Sequence, residues 1–184
     1  MARGTLLACA LVFVTVTAGA QTSRGMWIDV PFVHQPSDGC GAASLSMVMR
    51  YWAQQQGRTA GAESDVAAIQ RKLYVPSQHG IPASSMASWL RDHGFQAFAL
   101  SGRWSDLETQ IGKGRPLIVA LRPAGQRELH YVVVDGVDPE RGSVTMNDPA
   151  ERKLLSEERA EFEKEWQATG NWMLLAVPAS ASGR

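Results

Sequence analysis

Cys40 lies between two glycines, where a polar loop gives way to an apolar segment with helical spacing. The first turn of a helix presents unpaired N–H groups and the positive end of the helix dipole, and both favour a thiolate over a thiol. A thiolate attacks carbonyl carbon atoms readily, so we predict that Cys40 is a nucleophile. Gly39 and Gly41 allow a sharp bend into the helix and leave the approach to the sulfur open.

A nucleophile of this kind needs a base, a group that orients the base and hydrogen-bond donors for the oxyanion. His130, which directly precedes an apolar strand, is the candidate base. Gln35, in the loop before Cys40, is the candidate oxyanion donor together with the backbone N–H of Cys40. Asp148 follows the next predicted strand, beyond a turn at 138–143. Adjacent antiparallel strands bring the start of one beside the end of the next, so we expect Asp148 to lie beside His130 and to orient it.

Other interpretations of these residues remain open at this point. Asn147 is an alternative orienting residue, because an amide can hold an imidazole as a carboxylate does. A shift of one residue in strand register would exchange Asn147 and Asp148. An isolated cysteine is often a small buried side chain, and a histidine before a run of valines often simply ends a strand. The catalytic interpretation therefore depends on these residues meeting in the fold.

The four histidines raise the question of a metal site. No two of them have the H-E-x-x-H pattern or another close spacing typical of zinc ligands. We interpret His34 as a loop residue near the groove, and His79 and His93 as residues of a loop and of a helix end. We therefore expect no metal and no cofactor.

The composition is that of an ordinary globular protein, with 45% hydrophobic and 20% charged residues among 184. Eighteen basic residues balance eighteen acidic residues, which gives no indication of binding to nucleic acid or to an anionic membrane surface. A chain of this length can form one domain with a sizeable core, and we expect it to be a monomer.

The N-terminus has the pattern of a secretory signal peptide over residues 1–20. A short basic start precedes an apolar run of 13 residues at 6–18, and the small residues that follow predict cleavage near Ala20. The run is shorter than the ~20 apolar residues that span a bilayer, so we expect no membrane span in the mature form. We expect export to the periplasm or the extracellular space. Cleavage would remove Cys9 and leave Cys40 as the only thiol, so no internal disulfide could form.

Local patterns predict the elements that must position the candidate residues. The predicted strands cover 28–33, 95–100, 116–121, 131–134, 143–146 and 172–177, and the predicted helices cover 41–52, 66–74, a segment around 86–90, a segment ending at 112, and 156–166. Ser64 and Ser105 are the predicted N-caps of two helices. Helices come mainly first and antiparallel strands later, which is typical of the α+β class. We predict one domain over 28–178, a lead-in at 21–27 and a flexible tail at 179–184.

Several of these segments together resemble the C39-like peptidases of the papain-like cysteine protease superfamily. The resemblance is carried by Gln35, the run Asp38-Gly39-Cys40-Gly41-Ala42-Ala43, the run His130-Tyr131-Val132-Val133-Val134, the run Asn147-Asp148-Pro149, and Phe162 to Trp166 before the last strand. It covers roughly residues 28–178. It implies a papain-like fold, with N-terminal helices packed on a C-terminal antiparallel sheet, and hydrolysis of peptide bonds. By resemblance Cys40 is the nucleophile, His130 the base, Asp148 rather than Asn147 the orienting residue, and Gln35 the oxyanion donor.

The sequence also departs from many members of that family, which form the N-terminal domain of bacterial exporters and cut leader peptides after paired glycines. Here a separate signal precedes the domain, and neither a transmembrane bundle nor a phosphate-binding loop is present. We therefore predict a stand-alone exported peptidase that acts on a peptide or protein substrate. Two alternatives are a catalytically inactive peptide-binding module and an acyl transferase or amidase that uses the same three residues.

Overall fold

The computed structural model describes Met1 and residues 25–180. Within these residues the helices are α1 (Cys40–Gln55), α2 (Val66–Leu73), α3 (Ala83–Asp92), α4 (Trp104–Gly112) and α5 (Arg159–Gln167). The strands are β1 (Met26–Trp27), β2 (Phe95–Ser101), β3 (Leu117–Leu121), β4 (His130–Asp138), β5 (Ser143–Asn147), β6 (Leu155–Glu158) and β7 (Trp172–Pro178). The predicted α+β class is confirmed.

All strands join one antiparallel sheet in the order β2-β7-β3-β4-β5-β6, and β1 pairs with β4. The central strands β3 and β4 are buried on both faces, which explains why their sequences are continuously apolar rather than alternating. Alternate residues of β3 enter different cores: Ile118 and Ala120 belong to one cluster, and Val119 and Leu121 to the other. Helices α1, α2 and α3 cover the first face, and α4 and α5 cover the second.

The strand predicted at 28–33 is wrong, because regular pairing ends at Trp27. One further bond joins Ile28 N to the carbonyl of Asp135 at 2.9 Å. Beyond it, the carbonyl of Val30 accepts from the side chain of Asn147 rather than from a strand, and Pro31 has no N–H to donate. Residues 31–39 are consequently free to form the loop that leads to Cys40. Met26 and Trp27, in the predicted lead-in, pair with β4 instead.

Three predicted helix starts are also wrong. Asp65 caps α2, since its side chain accepts from Ala68 N, and Ser64 ends the preceding short 3-10 turn. Helix α4 begins at Trp104, one residue before Ser105. Its N-cap is Arg103, whose backbone N–H donates to the Asp106 carboxylate at 2.8 Å. Residues 156–158 belong to β6 because they pair with β5, and α5 starts only at Arg159.

Of the predicted signal peptide, residues 1–20, the structure describes only Met1. The end of the predicted tail, residues 181–184, also lies outside the described residues. The start of that tail is tied to the domain, since Ala179 N donates to the carbonyl of Gly94 at 2.9 Å. In the part of the chain that the structure describes, no helix has both the length and the apolar character needed to cross a membrane.

Candidate active site

Cys40 is the first residue of α1 and its side chain is partly buried. The helix is fixed in place next to β4, since the Ser44 hydroxyl donates to the carbonyl of Tyr131 at 3.2 Å. At Gly41 the packing is close enough that a Cβ would lie 3.2 Å from Cβ of Ile81. The thiol is therefore presented at the N-terminus of a rigid buried helix, beside the first residues of β4, as the sequence predicts.

His130 and Asp148 meet across the hairpin of β4 and β5. The Nε2 atom of His130 lies 2.9 Å from Oδ1 of Asp148. Asp148 is largely buried, and its Oδ1 also accepts from Ala150 N at 2.8 Å. The backbone N–H of Asp148 donates to the carbonyl of Arg152 at 3.1 Å. These bonds hold the carboxylate so that it faces the imidazole.

Asn147 has a different environment from its neighbour Asp148. It is fully buried, its Nδ2 donates to the carbonyl of Val30 at 3.1 Å, and its Oδ1 accepts from Leu154 N at 3.0 Å. Both ends of the amide thus join the strand to two loops. The structure pairs His130 with Asp148 and places Asn147 elsewhere, which resolves the register ambiguity.

The protonation of His130 follows from its neighbours. Burial alone would lower the pKa of the imidazole, but the hydrogen bond to Asp148, the interaction with Cys40 and the negative charges of both raise it to about 10. Burial would raise the pKa of Asp148, but the His130 hydrogen bond and charge and two backbone N–H groups hold it below its usual value. At neutral pH the site therefore holds an imidazolium between a carboxylate and the sulfur.

Gln35 enters the site through the loop before α1. Its backbone N–H donates to the carbonyl of Pro149 at 3.0 Å, which ties the loop to the residue after Asp148. The Oε1 atom of Gln35 is buried and has no hydrogen-bond partner among the described residues. Gln35 thus lies beside the His130–Asp148 pair with a side-chain amide that is not committed to the fold.

Helix α2 and Tyr74, the residue that follows it, brace the same loop, which the sequence did not predict. The Tyr74 hydroxyl donates to Oδ2 of Asp38 at 3.0 Å, and Gln70 Nε2 donates to the Asp38 carbonyl at 3.3 Å. Asp38 has a φ of 53°, in the left-handed region that non-glycine residues seldom adopt. At Gly39 a Cβ would lie 2.8 Å from the carbonyl oxygen of Pro36, so this position requires glycine. Only the Asp-Gly pair carried a sequence signal for this turn.

The remaining histidines do not join the site. His34 is exposed and stacks edge-on against Phe32, with ring centroids 4.7 Å apart. His79 ends a short 3-10 turn, and Nδ1 of His93 lies 2.7 Å from the carbonyl of Trp89 at the end of α3. Over the described residues, no group of three or more His, Cys, Asp or Glu side chains could hold a metal ion.

A cleft of about 560 Å³ opens from the His130–Asp148 pair. Gln35 forms part of its wall, and its far end reaches Glu165 on α5. The sequence pattern predicts a helix over 156–166 and gives no indication of a cleft there. Only the pairing of β6 with β5 turns Glu157 toward the cleft.

The sequence was compared with models of protein families and with curated proteins. The model of the Peptidase_C39 like family matches residues 27–173. A search among curated proteins found no similar sequence.

Three solved structures have a similar fold. A protein from Bacillus anthracis, described as a C39-like peptidase, has a TM-score of 0.65 and 18% identity over 86% of this chain and 100% of its own. The peptidase domain of Streptococcus ComA, a bifunctional ABC transporter involved in quorum sensing, has a TM-score of 0.63 and 23% identity over 82% of this chain and 99% of its own. A double-glycine-motif protease from an AMS/PCAT transporter, solved with its leader peptide, has a TM-score of 0.62 and 22% identity over 84% of this chain and 95% of its own. These likenesses confirm the predicted fold.

Proposed function

The chain belongs to the Peptidase_C39 like family, and on that premise we propose that it is a cysteine peptidase that uses Cys40, His130 and Asp148. One observation carries the proposal: the imidazole of His130 lies 2.9 Å from a buried carboxylate, and its pKa is raised both by that carboxylate and by the thiol at a helix N-terminus. A histidine that merely ended a strand would not need two such partners. The triad arrangement is the one that activates a thiol for attack on a carbonyl group.

In the proposed reaction the Cys40 sulfur attacks the carbonyl carbon of the scissile peptide bond. The Nε2 atom of His130 is held by Asp148, so Nδ1 is the ring nitrogen that serves the sulfur. His130 gives its proton to the leaving amine as the C–N bond breaks, and a thioester remains on Cys40. His130 then takes a proton from water, the water oxygen attacks the thioester, and the acid product leaves with the thiol restored.

The oxyanion formed in each step needs hydrogen-bond donors. The first N–H groups of α1 have no partner within the helix, and the N–H of Cys40 is the first of them. We assign the second donor to the side-chain amide of Gln35, whose loop is fixed by the Pro149 carbonyl. Removal of one such donor lowers kcat by roughly 10²- to 10³-fold in characterised enzymes.

A peptide-library digestion tests the proposal. Wild type and Cys40→Ala are incubated with the same library, and products are identified by mass spectrometry. We expect cleavage by wild type and none by Cys40→Ala, with equal melting temperatures as evidence that both are folded. Equal product yields from the two proteins would reject Cys40 as the nucleophile, and cleavage by neither would reject the peptidase assignment.

Product analysis separates hydrolysis from acyl transfer, since both pass through the same thioester. With an added amine acceptor, such as glycinamide, a peptidase yields mainly the free acid and a transferase yields mainly the amide. We propose hydrolysis. Amide as the dominant product at millimolar acceptor would assign the transferase class instead.

We also propose that the enzyme works outside the cytoplasm, on the basis of the signal-like residues 1–20. Cell fractionation followed by N-terminal sequencing tests this. A protein in the periplasmic or extracellular fraction that begins near Gln21 would support export. A cytoplasmic protein that retains residues 1–20 would contradict it.

A further inference from the structure

The cleft beside the His130–Asp148 pair has two chemically different parts. Its floor is apolar and is formed by Leu121, Met146 and Leu155, which come from β3, β5 and β6. Its rim carries the carboxyl groups of Glu151, Glu157 and Glu165. No lysine or arginine of the described residues lines it.

Three basic side chains of neighbouring segments are paired with carboxylates outside the cleft. Ion pairs join Lys153 to Asp29 at 2.5 Å, Arg159 to Glu163 at 3.1 Å and Lys164 to Glu161 at 3.5 Å. Glu157, by contrast, is partly buried and forms no ion pair with a described residue. Burial and the charges of Glu165, Glu161, Glu151 and Asp148 raise its pKa to about 7. Among the described residues, the cleft thus gathers three glutamates, and the cationic side chain that lines it, His130, is paired with Asp148.

A second observation at the same place indicates a ligand. Gln35 lines the cleft, and its Oε1 is buried without a partner in the described part of the chain. A buried polar atom without a partner is costly unless a bound group satisfies it. The carboxyl groups and this amide flank one space that begins at the catalytic imidazole.

We propose that this cleft binds a lysine or arginine side chain of the substrate. The aliphatic stem would lie over Leu121, Met146 and Leu155, and the cation would reach Glu157 and Glu165. His130 delivers its proton to the leaving amine, so the cleft beside it holds a residue on the amine side of the cut bond. This inference rests on the proposed function for its substrate class, but binding can be tested without turnover.

The test uses Cys40→Ala protein, which retains the cleft but lacks the nucleophile. Two fluorescein-labelled peptide pools are compared by fluorescence anisotropy: one central residue is lysine in the first pool and norleucine in the second. We expect the lysine pool to bind about fivefold more tightly, the effect of one solvent-accessible ion pair. Glu157→Gln and Glu165→Gln, each added to Cys40→Ala, should reduce that preference.

Glu158→Gln provides the matched control. Glu158 follows Glu157 in β6 and points to the opposite, exposed face, so the substitution removes the same charge outside the cleft. It should leave the lysine preference unchanged. Equal binding of the two pools to Cys40→Ala would overturn the inference, and so would equal effects of Glu157→Gln and Glu158→Gln.

The outcome is independent of the peptidase assignment. If the wild type cleaves peptides with no preference for lysine or arginine after the cut bond, the cleft proposal fails and the function stands. If the wild type cleaves nothing but lysine preference depends on Glu157, the cleft proposal stands and the function fails.

Discussion

The most consequential side-chain contact in this molecule is the one between His130 and Asp148. The carboxylate is held by backbone N–H groups of the loop after β5, so it can hold the imidazole in one orientation. Because this contact and that with Cys40 raise the pKa of His130 to about 10, the imidazole keeps its proton through neutral pH. Its ability to protonate a leaving amine should therefore extend well into alkaline solution.

Asp148→Asn tests whether Asp148 raises the pKa of His130. The amide keeps the shape of the carboxylate but loses its negative charge, so the pKa of His130 should fall. We expect the alkaline limb of the kcat/KM profile, near pH 10 in wild type, to move to lower pH. We also expect kcat/KM at neutral pH to drop on the order of 10²-fold. An unchanged alkaline limb in Asp148→Asn would show that Asp148 does not control the base.

The lysine preference should itself depend on pH. Glu157 gains its charge only as pH rises through about 7, while the low pKa of Asp148 keeps that carboxylate charged throughout. Glu165 and Glu161 face Glu157 from α5, and Glu151 faces it from the loop. Lysine binding relative to norleucine binding in Cys40→Ala should therefore increase between pH 6 and pH 8. The increase should flatten in Glu157→Gln; a ratio that falls over this range would contradict the assignment.

At the scale of elements, the loop before α1 is held from two sides. The Pro149 carbonyl accepts from Gln35 N, and Gln70 of α2 and Tyr74, which follows α2, bind Asp38. Tyr74 contacts neither Cys40 nor His130 through a hydrogen bond, so we consider it a positioning residue for the oxyanion loop. Its effect should appear in the chemical step rather than in substrate binding.

Tyr74→Phe removes only the hydroxyl that binds Asp38. We expect kcat to fall several-fold, with KM and the melting temperature nearly unchanged, because the hydroxyl is exposed and contributes little to stability. Steady-state kinetics and thermal melts measure both effects. A lower melting temperature with unchanged kcat would instead assign Tyr74 a structural role.

The bulge in β4 leaves a buried carboxyl group, whose effect on the stability of the fold can be measured. The register shifts between Val134 and Gly136, and Asp135 is left fully buried with no partner for either carboxyl oxygen among the described residues. Burial raises the pKa of Asp135 to about 7, the charge of Lys153 lowers it, and the charge of Asp29 raises it. The folded state therefore retains a proton that the unfolded chain releases at lower pH, and stability should fall as pH rises from about 4 to about 7.

Asp135→Asn should remove this dependence. Its free energy of unfolding, measured by urea denaturation, should increase relative to wild type by roughly 2–4 kcal/mol between pH 4 and pH 8. Asp92→Asn, which alters an exposed carboxylate on α3, is the control and should show a constant difference. A constant difference for Asp135→Asn as well would mean that the carboxyl group is solvated in the folded protein.

At the scale of the whole molecule, the sheet separates two cores and its exposed end carries the site. The helical face supplies Cys40 and the strands supply His130 and Asp148, as the sequence predicted. The β4–β5 pairing was predictable because apolar runs and a turn specify a hairpin without long-range information. The prediction that Asp148 lies beside His130 followed from that pairing.

Other features depend on contacts that no local pattern contains. Asn147 is held away from His130 by hydrogen bonds to Val30 and Leu154. Val30 is distant in the sequence, and Leu154 lies outside the strand. Residues 156–158 have a helical pattern but pair with β5, because tertiary pairing overrides local preference there. The same pairing creates the acidic cleft, so the cleft could not be inferred from the sequence alone.

The most direct test of the central claim is the intact mass of the enzyme during reaction with a peptide ester, quenched in acid. Wild type should gain the mass of the acyl group, and peptide mapping should locate it on Cys40. Cys40→Ala should gain none, and His130→Ala should acylate far more slowly. The account would be contradicted if wild type and Cys40→Ala hydrolysed the ester at the same rate and no acyl group were found on Cys40.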